Sequence, residues 1–352
     1  MSNSYLPILL NGLQEAVFIL DKNRTVLSAN PAAEQLFGKD LAGKDFVKVS
    51  RHPDCIGAIA QILSGAQQSW QVTFYDNGAK ANLQVNVTDL GRDNTDGARV
   101  LVCVQDVSEM HEAEQMRSDF VANVSHELRS PLTALSGFIE TVGMLEDDES
   151  EHRNRFLGLM DMEAQRMIRL IADLLSLSKV ESRQRQRPEG RANIVAIIER
   201  VKNTLVDLAA REDKTFELNG ADEIADIPGS EDELTQVFQN LIENAVKYGR
   251  RESVVRINIS KRDRVLGVVG EALVIEVQDE GDGIAQHHIP RLTERFYRVD
   301  THRSRNKGGT GLGLAIVKHI INRHRGKFSI ASQEGVGSRF TVALPMTYPT
   351  SR

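Results

Sequence analysis

Five groups of residues in this chain have the types and spacing to do chemistry. The first is His126, followed at once by Glu127, inside SDFVANVSHELRSPLT. An imidazole beside a carboxylate can carry nucleophilic or proton-transfer work, although a lone surface histidine is as often merely solvated. The second is QNLIENAVKY, which puts Asn240 and Asn244 one turn apart on a helix face, with Lys247 and Tyr248 close behind. Buried, these side chains would need partners; lining a site, they can ligate Mg2+ and phosphate oxygens. The third, DEGDGI, places Asp279 at a strand end, able to accept from an exocyclic amine. Gly281 and Gly283 behind it would let backbone approach a flat ring. The fourth, RFYRVD, is an aromatic and basic cluster containing Arg298. The fifth, GGTGLGLAIVKHI, sets Gly309, Thr310, Gly311, Leu312 and Gly313 at the start of a helix. The free N–H groups and positive dipole end of such a helix suit a polyphosphate. Between the last two lies THRSRNKGG, with the Gly, Lys and Arg content of a mobile lid over phosphates.

These residues need elements to hold them. Around His126 the apolar residues Val121, Val124, Leu128, Leu132, Leu135, Ile139 and Val142 alternate threes and fours, the stripe of a helix packed on other helices. His126 falls about 200° from Val124 and Leu128, so it points to solvent. Ser130 and Thr133 share its face, Arg129 flanks it, and Pro131 removes one backbone donor and usually bends the axis. A second stripe through Phe156, Met160, Met167, Leu170, Leu174 and Leu177, broken by Glu163, predicts a helix over 151–182. Joined by EDDES, the two helices form an αα-hairpin. One hairpin cannot bury both stripes, so a dimer completing a four-helix bundle is the natural solution. SEMHEAEQMR predicts a linker helix running straight into the His126 helix, and the charged RQRQRPEG is read as a domain linker.

Upstream, residues 1–107 alternate short strands and helices: AVFILD and TVLSAN as a hairpin, NPAAEQLFG and HPDCIGAIAQILSG as helices ended by Gly38 and Gly65. Three longer strands follow, SWQVTFYD, ANLQVNVTDL and ARVLVCVQDVS, joined by NGAK and GRDNTDG. Downstream, residues 191–347 mix helices (NIVAIIERVKNTL, SEDELTQVFQNLIENAVKYG and the glycine-led helix) with strands, an α/β sandwich with helices on one face. Ser230 and Glu233 there have the spacing of a capping box.

The 352 residues imply two or three domains, and 41% apolar with 26% charged residues is a globular composition. A net charge of −6 argues against nucleic-acid binding by the whole chain. Cys55 and Cys103 make no disulfide framework, and Cys103 reads as a core residue. No apolar run reaches the roughly 18 residues of a membrane span. YLPILL lacks the flanks of a signal peptide, and Tyr5 to Leu13 is a short amphipathic start that would pack on its own domain, a membrane or a partner helix being the alternative.

Taken together and in this order, the motifs resemble those of sensor histidine kinases of two-component systems, from Asp119 to Pro345. SHELRSPLT matches the phosphoacceptor box, NLIENAVKY the N box, DEGDGI and GTGLGL the two glycine boxes, and RFYRVD the F box. HELRSPLTALSGFIETV and RFYRVD look most like the phosphate-regulon sensor kinase branch. Residues 1–107 resemble a PAS domain, helped by ANPAAEQLFG and the terminal QDVSE; a ligand-free dimerisation module is the alternative. The resemblance implies a multidomain α+β fold: a PAS-like sensor (1–107), a linker helix with a dimerisation and phosphotransfer hairpin (108–182), and an ATP-binding α/β sandwich of the histidine-kinase and Hsp90 type (191–347).

It also implies roles. His126 would take the γ-phosphoryl group of ATP on Nε2, with Glu127 bonded to the other ring nitrogen. Asn244 would hold Mg2+, Asn240 would lie near the phosphates, Asp279 would read the adenine amino group, and Lys247 and Tyr248 would touch nucleotide. Related ATPases carry a glutamate base where Asn240 stands, so water would go unactivated here. Arg298, Arg303, Arg305 and Lys307 would neutralise charge in the transfer state, Arg298 foremost. Ser130 departs from the threonine or asparagine usual one turn after the histidine, which bears on dephosphorylation of a partner. The expected product is phosphohistidine, passed to an aspartate of a response regulator by a homodimer. It would be cytoplasmic or peripheral to the inner membrane, reading a cytosolic cue or a membrane partner. The alternatives are a phosphatase-biased sensor and a PAS scaffold with an inert kinase domain.

Overall fold

A computed structural model describes residues 5–91, 97–146, 149–183, 186–222, 224–299 and 309–347. Arg303, Arg305 and Lys307 of the expected lid, most of the GRDNTDG turn, and parts of EDDES and RQRQRPEG lie outside the described residues. The chain forms two compact units, Met1–Ala122 and Asn123–Arg352.

In the first unit, α1 (Tyr5–Gly12) precedes a five-stranded antiparallel sheet. Its strands are β1 (Ala16–Leu20), β2 (Val26–Ala29), β3 (Ser69–Asp76), β4 (Ala81–Asp89) and β5 (Val100–Asp106), in the order β2-β1-β5-β4-β3. Between β2 and β3 come α2 (Pro31–Phe37) and α3 (Pro53–Ser64). Strict alternation along β4 and β5 turns Leu83, Val85, Val87, Val100, Val102 and Val104 inward, where they meet Ile59 and Ile62 of α3. Phe18 packs edge-on against Phe46 at 5.2 Å. Asn30, almost fully buried, caps α2 by accepting from Ala33 N and also accepts from Val17 N, while its amide donates to Leu10 O and Glu15 O. One side chain thus ties α1, β1 and α2 together. The hairpin, the glycine stops and the three-stranded meander are all as the sequence predicts.

The helix α4 (Ser108–Met144) joins the linker and the His126 segment without a break and stays helical through Pro131. In the second unit α5 (Ser150–Ser182) returns alongside it, with Phe138 and Phe156 in ring contact at 5.9 Å. His126 and Ser130 are exposed, as expected. The apolar stripes are only half covered: Val121, Leu132 and Ile139 of α4 are exposed, and so are Leu157, Ile168, Ile171 and Leu175 of α5. Leu157, Ile168, Ile171 and Leu175 recur at helical spacing, a second stripe on α5 beside the one read from the sequence.

Beyond α5, β6 (Arg191–Ala192) pairs with β8 (Ile227–Pro228), a two-residue ladder with no periodic signal in the sequence. The main sheet runs β11-β12-β10-β9-β7 through β7 (Lys214–Asn219), β9 (Ser253–Arg262), β10 (Ala272–Asp279), β11 (Lys327–Gln333) and β12 (Gly337–Pro345). All its pairings are antiparallel except that of β7 with β9. One face is covered by α6 (Ile194–Arg211), α7 (Glu231–Tyr248) and α8 (Gly313–Arg323). Leu234, Val237, Phe238, Leu241 and Ile242 of α7, and Ile316, Val317, Ile320 and Ile321 of α8, are fully buried.

The capping box at the start of α7 is not formed. Ser230 makes no side-chain cap bond. Glu233 is drawn instead to Arg323, and the Ser230 N–H is met by Nε2 of the fully buried His324 at 3.1 Å. The His324 Nδ1–H donates to Ile320 O at 2.8 Å, which fixes Nε2 as an acceptor. A buried ring from far along the chain has displaced the local motif, and burial lowers its pKa from the ordinary histidine value.

Candidate functional site

Residues from the N box, both glycine boxes and the F box, segments up to 73 residues apart, line one pocket of about 430 Å3. Roughly 300–1,000 Å3 is the size of small-molecule sites. Along one wall α7 contributes Asn240, Asn244, Lys247 and Tyr248, which its 3.6-residue period puts on one edge while the opposite edge is buried in the core. Lys247 is ion-paired with Glu243, one turn back, at 2.6 Å, so this wall carries both charges. Asn240 reaches across to α8, its Nδ2 donating to Gly313 O at 3.3 Å. A Cβ at Gly313 would lie in van der Waals contact with the Asn240 amide, at 3.4 Å.

Asp279 closes β10 and lines the pocket, 4% exposed. Its Oδ1 accepts from Gly281 N at 2.9 Å and from Ser338 N at 3.3 Å, which leaves Oδ2 as the acceptor for a ligand group. Burial raises its pKa from the usual carboxylate value, against the pull of those two N–H groups and of the Lys214 ammonium. Gly281 and Gly283 are required by the protein's own backbone rather than by an approaching ring. A Cβ on Gly281 would come within 2.5 Å of Tyr248 O, and one on Gly283, at φ 71°, would run into the carbonyl of Gln333. Gly283 lines the pocket whereas Gly281 supports it from behind.

The second glycine box adds Gly309, Thr310, Gly311 and Gly313. Gly311 has φ 75° and accepts from Phe296 N at 2.9 Å, which ties the box to the F box. Leu312 is buried at the start of α8 and anchors the loop rather than facing the pocket. Arg298 and Tyr297 face it, the Tyr297 hydroxyl held by His288 Nδ1 at 2.6 Å.

A further wall, which no sequence motif announces, comes from α5. Arg169 and Asp173 line the same pocket, and the Thr310 hydroxyl donates to Asp173 Oδ2 at 2.7 Å. Burial raises the Asp173 pKa, opposed by that bond and reinforced by Glu243. Further along α5, Ser176 bonds Gln236 at 2.6 Å and Glu181 pairs with Arg295 at 2.6 Å. An Asp inside an amphipathic helix looks like a solvated position, and only the tertiary contact distinguishes it.

His126, Glu127 and Ser130 do not line this pocket. His126 and Ser130 stand on the open face of α4. Glu127 does not bond the His126 ring as expected. It pairs with Arg166 of α5 at 2.9 Å, and Arg166 also lies 3.7 Å from Glu163. Successive residues on a helix point about 100° apart, so a carboxylate drawn sideways to α5 is drawn away from its neighbour's ring. Among the described residues no cluster of three or more His, Cys, Asp or Glu could hold a metal. No helix among them is long and apolar enough to cross a membrane.

Comparison with known proteins agrees with this geometry. Residues 229–348 match the family of histidine kinase-, DNA gyrase B- and HSP90-like ATPases. Residues 116–183 match the His Kinase A (phospho-acceptor) domain, and residues 8–68 a PAS domain. The chain is 37% identical to the phosphate regulon sensor protein PhoR of Pseudomonas aeruginosa over 94% of its own length and 71% of that protein's. It is 36% identical to the sensor protein kinase WalK of Staphylococcus haemolyticus, over 97% of its length but only 55% of WalK's. A solved histidine kinase, ThkA in complex with the response regulator protein TrrA, aligns over 99% of both chains with 19% identity and a TM-score of 0.49. With a phosphoacceptor segment, an ATPase-type pocket and a PAS domain in one chain, this protein belongs to the sensor histidine kinases of two-component systems.

Proposed function

We propose that the protein binds ATP in the pocket between α5, α7 and the two glycine boxes and transfers the γ-phosphoryl group to Nε2 of His126. The observation that carries this is the convergence of Asn240, Asn244, Lys247, Tyr248, Asp279, Gly283, Arg298, Gly309, Thr310, Gly311 and Gly313 on one cavity. In this reading Asp279 Oδ2 accepts from the adenine amino group, and the N-terminal amides of α8 face the phosphates. Lys247 and Arg298 offset phosphate charge. The half-buried Asn244 carboxamide suits Mg2+ shared with phosphate oxygens, the usual binding mode of an ion that keeps most of its water; bound there, the ion would supply charge neutralisation. Asn240 has an amide where hydrolytic relatives would need a carboxylate base, so the phosphoryl group is kept for the histidine.

The half-open stripes of α4 and α5 support a homodimer that closes a four-helix bundle over 108–182, between a PAS-like sensor at 1–107 and the ATP-binding domain at 191–347. The acceptor downstream is an aspartate on a response regulator. The exposed Ser130 hydroxyl, one turn beyond His126, supports a second activity, removal of that phosphate. The PhoR likeness favours phosphate-starvation signalling as the process served. The test is incubation with γ-labelled ATP and Mg2+ beside His126→Gln. Acid-labile, alkali-stable label on the parent alone supports the reading, and label persisting on the variant refutes the assignment of His126.

A further inference from the structure

Lys214 opens β7 and is 6% exposed, an unusual place for an ammonium group. Its Nζ donates to Val246 O in the last turn of α7, one of the carbonyls that a helix leaves without an internal partner. The contact places a cation at the negative end of the α7 dipole. The side chain passes directly beneath Gly249, where an added Cβ would lie 3.3 Å from Lys214 Cε and 3.5 Å from Nζ. Gly249 in turn forms a bridge with Gly281, Arg250 N donates to Glu280 O at 3.2 Å, and Gly281 N donates to Asp279 Oδ1 at 2.9 Å. Lys214 therefore lies under the joint between the end of α7 and the turn that carries Asp279.

Charges near Asp279 come from several elements: Glu243 and Lys247 on α7 and Asp282 in the turn line the same pocket, Glu280 follows Asp279 in the chain, Arg256 lies on β9, Arg339 follows its β12 partner Ser338, and Lys214 lies on β7. Glu243 and Lys247 pair with each other, and Arg256 pairs with Glu280 at 2.5 Å. The Lys214 ammonium favours the ionised form of Asp279, against the larger rise that burial causes.

We propose that Lys214 is a positioning residue for base recognition: from beneath the joint it fixes the Asp279 turn against α7 and keeps the Asp279 carboxylate an acceptor, so that the site takes a purine with an exocyclic amine and rejects one with a carbonyl there. This rests on the assignment of Asp279 to the adenine amine. A protonated carboxyl would present an O–H to that amine and would welcome a carbonyl instead.

The test compares the affinities of the full-length protein for ADP and IDP by calorimetry from pH 6 to pH 8. Both ligands carry the same diphosphate, so the ratio cancels phosphate titration. The parent is expected to favour ADP by roughly tenfold or more at every pH, the worth of one hydrogen bond to a charged group. K214Q keeps a donor for Val246 O but loses the charge; its preference should fall below the parent's, and fall further at pH 6 than at pH 8, because losing the ammonium raises the Asp279 pKa. K214R keeps the charge and should hold its preference throughout. K214M loses both donor and charge and serves in place of K214Q if that variant does not fold. A parent indifferent to the base overturns the Asp279 assignment and this proposal with it. A parent that discriminates, beside a K214Q or K214M protein that discriminates equally at pH 6, overturns the role of Lys214 alone. Loss of preference at pH 6 in K214R as well overturns the charge argument.

Discussion

Replacing His324 with glutamine should remove a pH dependence from helix α7 while leaving its N-terminus capped. In the folded chain the neutral His324 ring accepts from Ser230 N through Nε2 and donates to Ile320 O through Nδ1. Protonation puts a second N–H against the Ser230 N–H, so it breaks the cap and charges a fully buried group. Burial holds the His324 pKa below the ordinary value of about 6.5 that it regains on unfolding. Between the two values the unfolded state binds more protons than the folded one. The contribution to stability is therefore complete above about pH 6.5 and falls as pH falls. By pH 5.5 the loss is up to about 1.4 kcal/mol, if the folded ring has not yet taken its proton. Hydrogen exchange of peptides covering 231–248, followed by mass spectrometry, reads the opening of α7 directly. It avoids a global melt, which in a multidomain chain is not two-state. The parent should lose protection relative to H324Q as pH drops from 7.5 to 5.5, because glutamine keeps an acceptor and does not titrate. H324L should be weaker at every pH by about 1 kcal/mol, the lower end of the penalty for an unmet N–H, since the Ser230 N–H is part-buried. Parent and H324Q running parallel across the range would refute the assignment of His324 as a neutral cap.

Three further outcomes follow from the site. Asp173→Asn keeps an acceptor for Thr310 but removes a negative charge from the pocket wall, so ADP should bind more tightly by about 1 kcal/mol, the scale of one partly screened charge pair, measured by calorimetry. Arg166→Gln releases Glu127 from its ion pair and should raise the initial rate of label transfer several-fold, whereas a slower rate would mean that the pair aligns the helix for transfer. Gly283→Ala should destabilise the ATP-binding domain by more than about 2 kcal/mol, from left-handed strain plus the collision with Gln333. Gly335→Ala, at φ 77° but with open space around it, should show the strain alone in urea titrations.

How far these features could be read from the sequence follows from how local their causes are. Asn240, Asn244, Lys247 and Tyr248 were legible because one helix places them on one face, and the glycine boxes because loop and helix start are contiguous. The alternating strands β4 and β5 were legible for the same reason. The Ser230–Glu233 box was misread because His324 and Arg323 offer stronger, buried partners that no local pattern announces. Asp173 was missed because what marks it is a hydrogen bond to Thr310, 137 residues away in sequence, and Arg169 because only the folded chain brings it to the pocket wall. The glycines of DEGDGI were rightly singled out, but the atoms that exclude a side chain, Tyr248 O and Gln333 O, belong to other segments. The exposed second stripe on α5 was written in the sequence and overlooked because the first stripe sufficed to define the helix.

Pro131 sits four residues after Glu127 within the unbroken α4, and it has no N–H. The Glu127 carbonyl therefore lacks its helical donor, one rung missing from the ladder in the turn that begins at His126. A helix with a missing rung opens there at less cost than elsewhere along its length. His126 and the Arg166 contact of Glu127 both lie within that turn, so the backbone at the phosphoacceptor has slack built into it. The amides of 126–130 should exchange with deuterium faster than those of 135–139, and Pro131→Ala should abolish the difference. The histidine would then be carried on a joint that can turn its ring towards a donor or an acceptor without unwinding the helix on either side.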